Sequence, residues 1–398
     1  MPHRIVVLGA GYAGAVAAGR LTRRLRRQDV AITLVNAEPD FVERVRMHQL
    51  AAGQDLRRRP LDEMFAGTGV EARYATVTGI DVDRRTVTVQ DGGGTEELGY
   101  DTLVYALGSA GHDQGVPGVA EHAYEIAGRP GALRLRERLN RLEAGRTVVV
   151  VGGGLTGLEA VTEIAEARPD LDIAVVAQGT LGDGLAPKGR EHLRKVVGGL
   201  GITVHEQVTV TAVEAGRVVT AGGAVIPAEV TVWATGFAVH PIAAATTLEV
   251  TDTGRIVVDG TMRSVSHPDV YAAGDAAWAM GAGGRPLRMS CASGIPIAWQ
   301  AADAIAARLT GGKLPNAPLR YYIRCISLGR RAGLIQSVTA DDHARPAVLT
   351  GRLAAVVKEM VCAGAAWSVV HPMLGMPVRR RRVVPGRAVP DPAVQTRA

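Results

Sequence analysis

Arg4-Ile-Val-Val-Leu-Gly9-Ala10-Gly11-Tyr12-Ala13-Gly14 is the stretch that decides the fold. Its short apolar, β-branched run predicts a buried strand, and the Ala-rich residues after Gly14 predict a helix. Between them Gly9 makes the turn, Gly11 lets a pyrophosphate approach the backbone, and Gly14 lets helix and strand pack closely. The unpaired N–H groups and positive dipole end of the helix then face the phosphates. An isolated GxGxxG marks only a tight turn, but strand and helix flank this one, which is the context the motif needs.

The next predicted strand, Ala31–Asn36, ends where such a unit usually carries an acid that bonds a ribose. Here Asn36-Ala37 stands instead, with Glu38 close by. Asn36 either contacts the adenosine ribose or serves only as a turn residue. A second array follows about 140 residues on: Thr147-Val-Val-Val-Val151, then Gly152-Gly153-Gly154-Leu155-Thr156-Gly157, then a helix that includes Glu159. Its partner strand runs into Ala177-Gln178, where an acid would select NADH and an Arg would select NADPH. Neither is present, and the missing Arg tilts the expectation toward NADH.

Composition narrows the remaining classes. A chain of 398 residues with 47% apolar content can fill two or three cores, and with only 4% aromatics it must pack through Val, Leu and Ala. The net charge of +6 comes from residues that are nearly all Arg, a bias closer to GC-rich coding than to a nucleic-acid surface. Cys291, Cys325 and Cys362 lie far apart, in no pattern that suggests a metal site or a disulfide framework. The N-terminus enters a strand at once and no uninterrupted apolar run reaches the length of a span, so the expected location is cytoplasmic, at most peripheral to a membrane.

Three further segments complete a resemblance to the pyridine-nucleotide-dependent flavoproteins with glutathione-reductase-like topology: Asp101–Ser109, Thr231–Phe237 and Val270–Asp275. The implied fold is α/β, with two Rossmann-like units and a smaller C-terminal α+β part. The expected division is an FAD unit over 1–112 and 256–320, a NAD(P) unit over 113–255, and an interface or acceptor-side part over 321–398. By the same resemblance FAD is held by Gly9, Gly11, Tyr12, Ala13, Gly14, Asn36, Ala37, Arg44, Gly108, Gly274, Asp275 and Pro296. The nicotinamide cofactor, NAD(H) or NADP(H), falls to Gly152, Gly154, Leu155, Thr156, Gly157 and Gly236. Glu159, placed on the first turn of its helix, lies near the nicotinamide in this reading, or else only complements the helix dipole.

Within the family the segments Phe41–Gly53 and Ser290–Ala302 resemble type II NADH:quinone oxidoreductases. The second should begin a helix whose positive end stabilises a reduced flavin, with Pro296 in its first turn and Gln300 on the same face. No Cys precedes position 291, so the paired cysteines of the disulfide reductases are missing, and the sulfide-oxidising branch, which also uses cysteines at the ring, fits poorly. His48 is read as a proton donor or an interdomain histidine, and Cys291 as a redox group or a small buried hydrophobe. Arg44 and Arg46, at strand-like spacing, would share one face toward a phosphate or an acidic acceptor, or else form a solvated pair.

The C-terminal part reads as a hairpin, Tyr321–Ser327 and Ala332–Val338 about a Gly-Arg-Arg turn, followed by a helix over Gly351–Val370. That helix packs on the flavin domain or on a dimer mate; alternatively, with Arg379–Arg382, it meets a membrane, although Pro372, Gly375 and Pro377 interrupt the pattern. The tail 385–398 reads as disordered. The expected function is hydride transfer from NAD(P)H to FAD and on to a quinone-like or other small acceptor, with no metal and no nucleic acid. The alternatives are an enzyme acting on an organic metabolite with a vestigial nicotinamide site, and a nucleotide-bound scaffold or sensor without turnover.

Overall fold

The structure, a computed structural model, describes residues 1–376 and 378–384. The readings made for Pro377 and the tail 385–398 lie outside these residues. Along the chain, β1 (His3–Leu8), α1 (Tyr12–Arg24), β2 (Val30–Asn36), α2 (Met47–Ala51), β3 (Val70–Tyr74) and β4 (Thr102–Tyr105) come first. β5 (Ala123–Glu125), β6 (Thr147–Val151), α3 (Leu155–Ala167), β7 (Asp172–Val176), β8 (Thr203–His205) and β9 (Val230–Trp233) follow. The chain then forms β10 (Val270–Ala272), α4 (Cys291–Thr310), β11 (Ile323–Ser327), β12 (Gly333–Val338), β13 (Ala344–Thr350) and α5 (Gly351–Val370).

Two parallel sheets organise these elements. The first has the order β10-β4-β1-β2-β3 and the second β8-β7-β6-β9-β5. In each, the strand before the glycine turn is central, and its apolar residues, Ile5–Leu8 and Val148–Val151, are buried, as a β-branched run requires when both faces are covered. The late strand β10 returns to pair with β4, Ala272 opposite Tyr105, so residues some 170 apart close one sheet. Two antiparallel three-stranded meanders, 76–99 and 210–227, were not foreseen from the sequence.

Small residues let helices approach. α1 and α4 bury Ala15, Ala18, Ala298, Ala301 and Ala302. Asp303 then ties the pair, taking Arg20 at 2.7 Å and Arg24 at 2.8 Å, while Arg20 also donates to the Pro372 carbonyl at 2.6 Å.

The C-terminal hairpin forms as expected, with Ser327 opposite Gly333, and β13 adds a third strand. α5 spans Gly351–Val370 and is long and apolar enough to cross a membrane by length and composition, although Arg352, Lys358 and Glu359 interrupt its apolar run. Yet Lys358 and Glu359, at its middle, are ion-paired into the protein, and Ala354, Cys362, Ala366 and Val369 are buried. α5 therefore lies along the protein, with Leu353, Val356, Met360 and Trp367 outward.

The α1–α4 tie gives a direct expectation. Asp303→Ala leaves Arg20 largely buried without its carboxylate and should cost about 2–3 kcal/mol, read as a lower urea midpoint at unchanged slope.

Candidate functional site

Each glycine turn is locked by its outer glycines and open at its middle one. A Cβ on Gly14 would sit 1.8 Å from the Gly9 carbonyl oxygen, and one on Gly157 1.9 Å from that of Gly152. Gly9 and Gly152 have positive φ, +89° and +129°, and back directly onto the carbonyls of Ala106 and Ala234. Above Gly11 and Gly154, by contrast, a Cβ would meet nothing within 4 Å. Both open glycines line one cavity of about 550 Å³ between the two sheets.

Three helices begin at this cavity. α1, α3 and α4 are preceded by Gly11, Gly154 and Ser290, without a side-chain cap and without an acid in the first turn. Their free N–H groups and dipoles favour an anion in the space they share. Gly108, Gly236, Gly274 and Asp275 also line it. Asp275 accepts from Ser109 Oγ at 2.6 Å and lies 4.0 Å from Arg44, which itself donates to the Ala127 carbonyl at 2.9 Å. The buried hydroxyl of Tyr12 and Nε2 of His48, both on lining residues, have no protein partner. Open backbone over two glycine turns, unspent N–H groups and orphaned donors fit a pair of dinucleotides.

Several sequence-based placements shift. Asn36 accepts from the Ala10 N–H at 2.8 Å and donates to the Glu38 carbonyl at 2.7 Å, so its amide braces the first glycine turn while Ala37 beside it is exposed. Arg44 and Arg46 occupy a 3₁₀ turn, not a strand, and diverge: Arg44 faces the cavity, whereas Arg46 pairs with Glu43 and Glu359. Pro296 sits in the second turn of α4, because the helix begins earlier, at Cys291. Its missing N–H leaves the carbonyl of Ala292, a cavity residue, without its helical donor. Gln300 turns away and donates to the Gly260 carbonyl.

Glu159 lies in the second turn of α3, beyond the terminal dipole, and has a stronger partner. Lys358 Nζ is 2.8 Å from its Oε1, and the Ser327 N–H donates to the same oxygen at 3.0 Å. Burial alone would raise Glu159, but Lys358 and that N–H outweigh it and hold the carboxyl below its ordinary value. Lys358 is likewise depressed by burial and more strongly raised by Glu159. The pair is therefore ionised. His48 differs: burial, assisted by Lys358, Arg330 and Arg46 against Glu159, pushes it down to about 4. At 3.9 Å from Glu159 it is a neutral neighbour, not an ion-pair partner.

All three cysteines reach this cavity, despite their separation in sequence. Burial pushes Cys291 and Cys325 up to about 11, so they are thiols, not thiolate nucleophiles. Among the described residues no group of three His, Cys, Asp or Glu is placed to hold a metal ion. Sequence reasoning missed Lys358. The signal was present: a Lys-Glu pair interrupts an apolar helix in a chain where lysine is scarce.

Comparison with known proteins agrees with this geometry. The family model described as pyridine nucleotide-disulphide oxidoreductase matches residues 3–305, and the chain belongs to that family. It is an oxidoreductase, with NADH dehydrogenase-like proteins among its relatives. It is 30% identical over 386 residues to an NADH dehydrogenase-like protein of Mycobacterium tuberculosis, covering 90% of this chain and 92% of that one. A demethylphylloquinone reductase of Synechocystis is 27% identical over 367 residues, 88% of this chain and 90% of its own. The solved NDH2 of Plasmodium falciparum superposes with a TM-score of 0.78 over 95% of this chain and 99% of that one, at 14% identity, a likeness of fold alone.

The neutral burial of His48 has a sign in stability. Its folded value lies below the ordinary 6.5, so its contribution is present above pH 6.5 and lost as pH falls toward about 4. Unfolding free energy should drop across that window by up to roughly 3 kcal/mol from this group. Urea titrations of the wild type and His48→Gln at stepped pH should converge in stability as the medium is acidified.

Proposed function

We propose that the chain is an FAD-dependent NADH dehydrogenase that delivers electrons to a quinone-like acceptor bound against the Glu159–Lys358 pair. The observation that carries this reading is the shared cavity: both glycine turns, a third uncapped helix end and a buried ion pair face the same space. The named activities of the M. tuberculosis and Synechocystis relatives support it. In this reading the FAD unit comprises 1–112 and 256–320, and the inserted 113–255 takes the nicotinamide.

FAD would be held by the turn Gly9–Gly14, by Arg44, Gly108 and Gly274-Asp275, and at the N-terminus of α4. The second turn, Gly152–Gly157, with Gly236 would hold NADH. NADH is favoured over NADPH because Ala177-Gln178, at the end of β7, offers no Arg to a 2′-phosphate. When bound, the two cofactors supply hydride transfer and electron storage. The chain supplies the rest. Its glycine turns set the dinucleotides' approach, and the N-terminus of α4 stabilises negative charge where electrons accumulate. Reducing a quinone with NADH consumes one proton beyond the hydride, and Lys358 Nζ, charged and in the cavity wall, is placed to deliver it. Glu159 fixes that ammonium and keeps it charged, while the thiols of Cys291, Cys325 and Cys362 line the wall without adding charge.

α5 relates this site to its surroundings. Val361, Cys362 and Ala365 wall the cavity, and the adjoining face of the same helix presents Leu353, Val356 and Met360 outward. A lipophilic acceptor would enter along that face. Peripheral membrane contact follows from the same feature, aided by the open basin of arginines formed by Arg24, Arg26 and Arg379–Arg382.

Purified protein should be yellow and bleach under anaerobic NADH faster than under NADPH, with colour restored by a soluble quinone. Absence of bleaching by either nucleotide overturns the reading. Lys358→Met should slow reoxidation by quinone about 100-fold while bleaching by NADH persists, as stopped-flow traces of each half-reaction would register.

A further inference from the structure

One turn beyond Glu159 on α3 stands a second buried acid, Glu163, only 2% exposed. Its Oε1 accepts from Gln54 Nε2; its Oε2 is buried with no partner. It is not a cavity residue. Acids four apart on a helix are neighbours, so two buried charges here would repel. Glu159 has the cation and the N–H, and Glu163 has a single amide donor, an environment suited to the neutral acid. On α2, which packs on α3, His48 Nε2 is also buried without a partner.

We propose that Glu163 is a positioning residue that holds a proton in reserve behind the Glu159–Lys358 pair, so that protons are replenished from the Gln54 side and not through the cavity mouth. This rests on the reading that an acceptor is reduced in the cavity. Lys358 loses an N–H proton to the acceptor oxygen and regains one from solvent-derived stock through Glu159. The O–H of Glu163 breaks to protonate Glu159, its neighbour one turn away on α3. Glu163, briefly a carboxylate, is reprotonated from solvent beside half-buried Gln54. The electrons come from NADH, and the chain ends unchanged.

The charged surroundings are consistent with this sequence. The charged and titratable groups that act on Glu163 are Arg330 from the hairpin turn and Glu166 and Glu159 on α3, while Lys358 from α5 and His48 from α2 act on Glu159. Arg330 and Arg331 are engaged by Glu359 and Glu166, which leaves Glu163 without a cation of its own. Burial, reinforced by Glu166 and Glu159 and opposed by Arg330 and Gln54, pushes Glu163 up to about 7.

The test is made on the holoprotein. Infrared difference titration of the wild type should show a protonated-carboxyl band that titrates near neutrality and is missing from Glu163→Gln. In stopped flow, that variant should bleach with NADH normally but reoxidise with soluble quinone about tenfold more slowly at pH 8, losing the wild-type pH dependence near 7, with partial recovery in Glu163→Asp. A band and a pH profile both unchanged in Glu163→Gln overturn the proposal. Failure of NADH to bleach the wild type would overturn the acceptor reading beneath it, whereas the infrared band reports the proton on Glu163 independently.

Discussion

Uncapped helix N-termini cost free energy unless something satisfies them, and this molecule points three at one place. α1, α3 and α4 come from distant parts of the chain, and each withholds both a capping side chain and a first-turn acid. Their convergence sets the rest of the architecture. The two central strands must be buried on both faces to launch α1 and α3 at matching heights, and β10 must return to the first sheet so that α4 can start at the same cavity. The lock between outer glycines keeps each turn tight enough for its middle glycine to remain open.

The ionised side chains on the cavity wall are held by partners, with Arg288 and Arg324 sharing Asp342. Asp275, held by Ser109 and Arg44, lies on one side; Glu159, neutralised by Lys358, lies on the other. His48 is kept neutral and the thiols protonated. The net result is a chamber whose uncommitted charge is mainly backbone dipole, a suitable environment for anionic ligands and for changes in electron count.

Both nucleotide units were legible in the sequence because their information is local: a β-branched run, three spaced glycines and a helix, repeated once. The late return at Gly274-Asp275 was legible only through resemblance, since nothing near Val270 says which strand it will join. What escaped was set by three-dimensional meeting. Lys358 matters because α5 lies on the β11–β13 sheet and this one side chain reaches past it to Glu159 on α3, about 200 residues away in sequence. The cysteines look unrelated until α4, β11 and α5 are brought together. Arg44 and Arg46 diverge because a 3₁₀ turn rotates successive side chains differently from a strand, and Pro296 shifted because the helix start depended on where Ser290 met the cavity.

The tip of the β11–β12 hairpin rests on α3 through three amides: Ser327 to Glu159, Gly329 to Thr162 at 3.1 Å, and Arg330 to Glu166. α5 adds Lys358 to the first of these acceptors. The C-terminal part is thus keyed to the body formed by the two parallel sheets, with polar contacts spaced by the helical repeat of α3. A C-terminal part of different sequence would fit this body only if it too brought an amide and a cation to Glu159. Modularity here is limited less by shape than by the need to leave no buried carboxylate unmatched at the joint.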